Sequence, residues 1–385
     1  MNILKILVRN AFRHKLRSIL TIIAMCIAIL AFGLLRTVIS AWYAGVAASS
    51  ADRLVTRNAI SLIFPLPLAY RDKIRLTDGV KGVSYGNWFG GIYIEEKNFF
   101  ANFAVEPQTY LALYPEFILP PDQLRAFLTN RKACIAGGRL AERFGWKIGD
   151  TITLKGTIFP GNWELLLQGI YRGRDQTVDQ SMFFFHWDYL NESLKKSTSG
   201  RANQVGYYII QLTDPDRAAE VCTAIDKNFK NSLAETLTET EKAFQMSFVA
   251  MSDALIWVIQ IVSGVIIVII LAVVANTMAM TTRERIGEYA IYKTLGFGAF
   301  YIWGLIWGES LVITLSGGLL GMVLTYPVSR VFSNAVGTVF PVFNVDITTI
   351  YMDLGVALTV GTLATILPAR HACKISIADG LRRVD

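Results

Sequence analysis

The sequence predicts an α-helical membrane protein with four transmembrane helices and a mixed α/β extracytoplasmic domain inserted between the first and second spans. Three observations carry this. Of 385 residues, 53% are hydrophobic and only 17% charged, a balance foreign to most soluble domains. The apolar residues gather in runs long enough to cross a hydrocarbon core of about 30 Å at about 1.5 Å per helical residue. The basic residues flank those runs on one side of the membrane.

Residues 1–17 read as a cytosolic amphipathic helix, with Ile3, Leu4, Leu7, Val8, Ala11 and Phe12 on one side and Lys5, Arg9, Arg13 and Arg17 on the other. Such a helix lies in the membrane interface with its cations toward anionic headgroups, and it can also brace the first span against a cytosolic partner. The first span, 18–42, follows from the run Ser18–Leu35. That run exceeds the roughly 7–15 apolar residues of a signal peptide and reads as an uncleaved anchor. At its outer end Arg36 is expected to snorkel, and Trp42 and Tyr43 to sit at the interface.

Residues 43–252 form the inserted domain, in which short β-rich stretches alternate with helical ones. Arg53–Phe64 reads as a strand ended by Pro65 and Pro67, Ala69–Leu76 as a helix, and Val80–Ile94 as strands around Gly86, Gly90 and Gly91, together a split β-α-β unit. A helix at Gly137–Phe144, a turn at Lys147–Asp150 and a strand at Thr151–Leu154 follow. Gln204–Leu212 reads as a strand and Asp214–Asn228 as a helix, and Glu235–Gln245 leads toward the second span.

The remaining segments are a second span at 253–280, a cytosolic coupling loop at 281–300, a third span at 301–332, an external loop at 333–349, a fourth span at 350–369 and a cytosolic tail at 370–385. Lys5, Arg9, Arg13, Lys15 and Arg17 precede the first span; Arg283, Arg285 and Lys293 occupy the coupling loop; Arg370, Lys374, Arg382 and Arg383 occupy the tail. The external loop holds only Asp346. The positive-inside rule puts both termini and the coupling loop in the cytosol.

The same rule accounts for the net charge of +7, so nucleic acid is not an expected partner. Cys26, Cys134, Cys222 and Cys373 show no C-x-x-C spacing, which argues against zinc and thioredoxin chemistry; Cys134 and Cys222 share the inserted domain and could pair in an oxidising compartment. His186 sits within Phe183-Phe-Phe-His-Trp187 and reads as a packed histidine rather than a general base. H-E-x-x-H does not occur, and Asp175 and Asp179 read as a solvated loop. The aromatic stretch Tyr85-Gly-Asn-Trp88-Phe89 reads as core, with an exposed partner-binding patch as the other reading.

Within the coupling loop, a helix is expected between Arg283 and Leu295, stopped by Gly296. Arg283, Glu284, Arg285, Glu288 and Lys293 give it mixed charge, and Ile286, Ala290 and Leu295 are apolar positions. A helix that docks in a partner's cleft needs such anchors with charged edges, and a plain connector accounts for the segment equally well. In the third span Gly317, Gly318 and Gly321 permit close helix approach. Glu309 is an intramembrane carboxylate near the cytosolic side, a candidate for transmission or for capping a neighbouring helix.

Three segments resemble the MacB/FtsX-like ABC transporter permease family, the type VII or mechanotransmission class. Arg9-Asn-Ala-Phe-Arg-His-Lys-Leu-Arg-Ser-Ile-Leu-Thr21 is similar to that family's lead into its first span. Asn276 to Gly296, with its Glu284-Arg285, Lys293 and Leu295-Gly296 positions, resembles the coupling segment, and Leu367 to Arg382 the exit from the last span. Gly137 to Asp150 is a weaker match to a helix-turn motif of the external domain.

The resemblance implies a permease without a motor of its own. The sequence contains no G-x-x-x-x-G-K-[ST] loop, so ATP and Mg would be bound by a separate cytosolic ABC ATPase subunit, while this chain itself carries no cofactor, metal or catalytic residue. A second permease copy, identical or related, would complete the assembly in the bacterial inner membrane, surrounded by membrane lipids. A periplasmic adaptor and an outer-membrane channel are further implied partners. The implied task is export or extraction of a hydrophobic, lipid-linked or peptide-like substrate; the alternative is a signalling permease that activates a cell-wall hydrolase, and the third class is a membrane-bound enzyme.

Overall fold

Apolar residues arranged all round a helix make a span, and apolar residues at every second position make a strand, so the two halves of the hydropathy pattern build two different bodies. The computed structural model describes residues 3–175, 177–196, 200–336 and 342–376. They divide into one unit of Met1–Ala41, Ser252–Ala335 and Phe343–Asp385 and another of Trp42–Met251 and Val336–Val342.

The first unit is a helical bundle. A short N-terminal helix, Ile3–Ala11, is followed by four helices long and apolar enough to span a membrane: Lys15–Trp42, Asp253–Glu284, Ala299–Val336 and Ile347–Lys374. They are the first to fourth spans. Met25 and Ile29 from the first, Ile270, Val274 and Met278 from the second, Ile306 and Ile313 from the third, and Ala357, Val360 and Ala364 from the fourth form its core. Small residues set the spacing. A Cβ on Gly317 would come within 2.7 Å of the Ile22 carbonyl and of Met25 Cβ, one on Gly321 within 2.7 Å of the Cys26 carbonyl, and one on Gly318 within 2.9 Å of Ala357 Cβ. The third span thus lies against the first through Gly317 and Gly321 and against the fourth through Gly318.

The second unit is a mixed α/β domain. Its strands are β1 (Arg53–Asn58), β2 (Leu66–Pro67), β3 (Val80–Trp88), β4 (Gly91–Tyr93), β5 (Asn102–Val105), β6 (Phe117–Ile118), β7 (Ala133–Gly137), β8 (Thr151–Gly156), β9 (Gly161–Gly173), β10 (Phe183–His186), β11 (Gln204–Val205), β12 (Tyr207–Leu212) and β13 (Thr236–Thr240). The main sheet runs β13-β1-β12-β3-β5-β10-β7-β9-β8-β4, with β6 on the end of β9. Of its neighbouring pairs, β5 with β10 and β7 with β9 are parallel. Because β1 and β3 are each antiparallel to the β12 that lies between them, β1, the helix Tyr70–Arg75 and β3 make the expected split β-α-β unit.

The two-residue period sorts side chains onto opposite faces. Leu54, Cys134, Ala136, Phe183, Phe185, Tyr208 and Ile210 join one core, and their neighbours Val55, Ala133, Ile135, Phe184 and Ile209 join the other. Tyr85 and Phe89 are buried in the first of these, which settles that aromatic stretch as core, with Trp88 at its rim.

Several sequence expectations need correction. The strand begun at Arg53 stops at Asn58 rather than running to Phe64, because its partners stop there: Asn58 faces Thr236, the first residue of β13, and Arg57 faces Tyr207, the first of β12. Gly86 lies inside β3, not at a turn; a Cβ there would meet the Tyr207 hydroxyl at 2.7 Å. The longest strand, β9, was not foreseen, since its run Leu165-Leu-Leu167 masks the alternation and Gly169 interrupts it. Cys134 and Cys222 are both free thiols. Cys222 lies on the helix Ala218–Asn228, packed on β13, and β7 is six strands further along the sheet, about 29 Å at ~4.8 Å per strand, far beyond the ~7 Å Cα separation a disulfide tolerates. His186 packs as expected, its Nε2 2.6 Å from the Phe127 carbonyl and its ring edge-on to the Phe127 ring.

Candidate functional site

One end of the helical bundle gathers almost all of the charged residues singled out from the sequence. The second span does not stop at 280 but runs to Glu284, where the helix breaks at Arg285. A separate helix, Ile286–Thr294, follows and ends with Gly296 in the left-handed region at φ 89°, a conformation glycine adopts without steric penalty. The segment expected as one helix from Arg283 to Leu295 is therefore a bend followed by a short helix, and the bend lets Arg285 point inward.

Arg285 is the centre of the site. Its side chain is 4% exposed; Nη1 donates to Glu309 Oε2 of the third span at 2.7 Å and Nε to Glu288 Oε2 at 2.9 Å. The guanidinium also lies 5.4 Å from the centre of the Tyr289 ring. Glu309 is thus held in a buried ion pair instead of capping a helix. Glu288 bridges outward to Arg13. Burial pushes its carboxyl up, but hydrogen bonds from Arg285 and Arg13 outweigh this and bring it below the usual carboxylate range.

A second pair lies beside the first. Arg17 grips Glu284 with both guanidinium nitrogens, Nη1 to Oε2 at 2.8 Å and Nη2 to Oε1 at 2.7 Å, the bidentate geometry that gives direction as well as attraction. His14 Nε2 is 3.4 Å from the same carboxylate. Arg13 and Arg17, expected to face lipid headgroups, are instead tied to the coupling segment. Arg9 remains exposed, and the Lys5 side chain lies outside the described residues. The N-terminal helix packs as well: Leu7 lies against Gly308 of the third span, and Ala11 is buried in the bundle core.

Lys293 completes the enclosure. Its Nζ donates to the carbonyl oxygens of Cys373 at 3.0 Å and Ile375 at 2.7 Å, at the C-terminal end of the fourth span, where unpaired carbonyls and the helix dipole favour a cation. The bend at Arg285 and the short helix Ile286–Thr294 are fastened by their own side chains to Arg13 in the turn before the first span, to the third span and to the end of the fourth. Residues 377–382, at the end of the segment resembling the family's last exit, lie outside the described residues.

The apolar positions divide differently from the sequence reading. Ile286 and Ala290, expected as outward anchors, are each 3% exposed and belong to the bundle, since the bend at Arg285 rotates them inward. Leu295 is 69% exposed and continues a patch that the sequence reading missed: Ile291, Phe297 and Phe300, the last 92% exposed. Its signal was present as Leu295-Gly-Phe-Gly-Ala-Phe300, an apolar turn where a plain connector would be polar. Arg283, at the end of the second span, is exposed. A second omission is Asp353, on the fourth span, 1% exposed with its Oδ1 lacking a hydrogen-bond partner.

The chain is similar to several known proteins. Residues 260–377, which hold most of the second span, the short helix and the third and fourth spans, match the family model of the FtsX-like permease C-terminal domain. An uncharacterized ABC transporter permease of Methanocaldococcus jannaschii is 25% identical over 97% of this chain and 96% of its own length. The macrolide export ATP-binding/permease protein MacB of Shewanella sp. W3-18-1 is 24% identical over 59% of this chain but only 35% of its own length. Among solved structures, the extracellular domain of the noncanonic ABC-type transporter YknZ from Gram-positive bacteria matches 49% of this chain with a TM-score of 0.36 and 12% identity. Residues 260–377 thus form an FtsX-like permease domain, and the chain is similar to ABC transporter permeases of the MacB/FtsX-like type.

Proposed function

We propose that this permease works with a cytosolic ABC ATPase that docks on residues 283–300, and that ATP-driven movement passes along the spans to the inserted domain on the far side of the membrane. Both termini lie in the cytosol in this reading, which the distribution of Lys and Arg supports. Two permease copies operate together in a bacterial inner membrane, and ATP and Mg are held by the ATPase subunits. The work done is export or extraction of a hydrophobic, lipid-linked or peptide-like substrate.

The observation that carries this reading is the division of the segment 283–300 into a locked base and an open rim. Arg13, Arg17, Glu284, Arg285, Glu288, Lys293 and Glu309 hold the base to three other helices. Ile291, Leu295, Phe297 and Phe300 are left exposed at the rim. A rigid apolar patch edged by charge is the kind of surface a partner covers. A push on the rim would reach the first, third and fourth spans without a flexible link. The MacB relative, whose name joins ATP binding to export, supports the same class of work.

Glu284 and Glu288 are poor positions for a docking test, because either change would also break the internal ion pairs. Leu295→Asp and Phe300→Asp leave those pairs intact. Each is expected to lower recovery of the ATPase with affinity-tagged permease about tenfold, equivalent to about 1.4 kcal/mol. The thermal stability of the permease should hardly move, as for exposed positions generally. Full recovery of the ATPase with both variants would rule out docking at this rim.

A further inference from the structure

The segments that lead into and out of the inserted domain meet at one buried cation. Arg53 opens β1, the first strand after the first span; Glu241 opens the helix Glu241–Ala250, which follows the last strand and precedes the second span. The Arg53 side chain is 4% exposed. Its Nε donates to Glu241 Oε2 at 2.8 Å, and the same carboxylate oxygen accepts the Ser50 backbone N–H at 2.8 Å. The two legs also touch through Gly45, where a Cβ would lie 2.9 Å from Gln245 Oε1.

The other side of Arg53 faces away from the legs. Nη1 and Nη2 donate to the two carboxylate oxygens of Glu116 at 3.0 and 2.6 Å, Nη1 also donates to the Leu113 carbonyl at 3.0 Å, and the guanidinium stacks 4.3 Å over Tyr114. Glu116 belongs to a strap, Tyr110–Ile118, that covers one sheet face. The strap is packed into a core that draws on β1, β12, β5, β10, β7 and β9 and ends as β6 on the far strand β9, with Arg174 N–H donating to the Glu116 carbonyl. Along the sheet, β9 is six strands from β1; through Glu116 the connection is one side chain long.

We propose that Arg53 is a positioning residue for transmission: a three-way joint that locks the two legs together and passes their movement through Glu116 to the far half of the inserted domain. Stability alone does not call for such a group, because well-packed apolar residues usually replace a buried ion pair at no loss. What an arginine adds is directional attachment to two carboxylates at once, bidentate to Glu116 through Nη1 and Nη2 and single to Glu241 through Nε. The inference rests on the coupling reading above.

The test uses the full chain with its ATPase in lipid nanodiscs and spin-label distances in two states, nucleotide-free and trapped with ATP and vanadate. One label pair, Lys15→Cys with Lys147→Cys, reports movement of the far half relative to the bundle. The other, Lys242→Cys with Lys147→Cys, reports whether leg and far half move as one. The parent protein should show a nucleotide-dependent shift in the first pair and a narrow, nucleotide-independent distance in the second. In Glu116→Gln and Glu241→Gln, which keep side-chain shape, the second distance should broaden or shift on trapping. A merely structural role would lower melting temperature in both nucleotide states alike and leave that distance fixed. If the second pair stays narrow and unchanged in both variants while the first still shifts, the joint is refuted. If the first pair does not shift in the parent, the coupling reading fails and the joint falls with it.

Discussion

The buried pair Arg285–Glu309 makes a quantitative prediction. With charge centres about 4 Å apart and an effective dielectric of about 20, the attraction is about 4 kcal/mol. Both side chains are 4% exposed, so water screens little of it, and the desolvation of each ion is a cost of several kcal/mol. The pair is near neutral overall, but either member alone is not. Arg285→Met strands Glu309 among apolar neighbours and should destabilise the protein by about 3–5 kcal/mol. Glu309→Met should cost less, about 2–3 kcal/mol, because Arg285 keeps Glu288 at 2.9 Å and the Tyr289 ring. The double variant removes both ions and should lie within about 2 kcal/mol of the parent, a coupling of about 3 kcal/mol or more. Urea or SDS titration in mixed micelles, followed by tryptophan fluorescence, measures all three. Simple additivity in the double variant, or a greater loss from Glu309→Met than from Arg285→Met, would refute the reasoning.

Two further expectations can be checked with the same preparation. Burial holds the His186 imidazole below its ordinary pKa, with the Phe127 carbonyl only partly opposing. The folded state therefore stays neutral where the unfolded chain protonates, and stability should fall as pH drops below about 6.5, by up to about 1.4 kcal/mol per unit. Calorimetry of His186→Gln should show a flatter pH dependence for the inserted domain's transition; an unchanged slope contradicts this. Gly317→Val would drive a side chain into the Ile22 carbonyl and Met25 of the first span, at a cost of about 1–3 kcal/mol. Gly264→Ala, with nothing within 4 Å of the new Cβ, is the control and should leave the melting temperature equal or higher.

The four spans were legible because bilayer thickness sets a minimum length for an apolar run, and that condition depends on no other part of the chain. Local chemistry also marked Gly296 as a helix stop and Gly137–Phe144 as a short helix, since caps and turns are decided within a few residues. Ion-pair partners were not legible. Arg13 and Glu288 are 275 residues apart in sequence, and nothing in either segment names the other; only the folded bundle brings them together. The same holds for Ile286 and Ala290. Their hydrophobicity was plain from the sequence, but which way they face depends on a bend at Arg285 that the buried Glu309 stabilises. The sequence by itself determined that the chain crosses a membrane and carries a β-rich domain, because hydropathy period and run length are local quantities. The tertiary structure alone decided which charges are spent inside the protein and which apolar side chains remain open to a partner, because burial belongs to pairs of elements and not to residues.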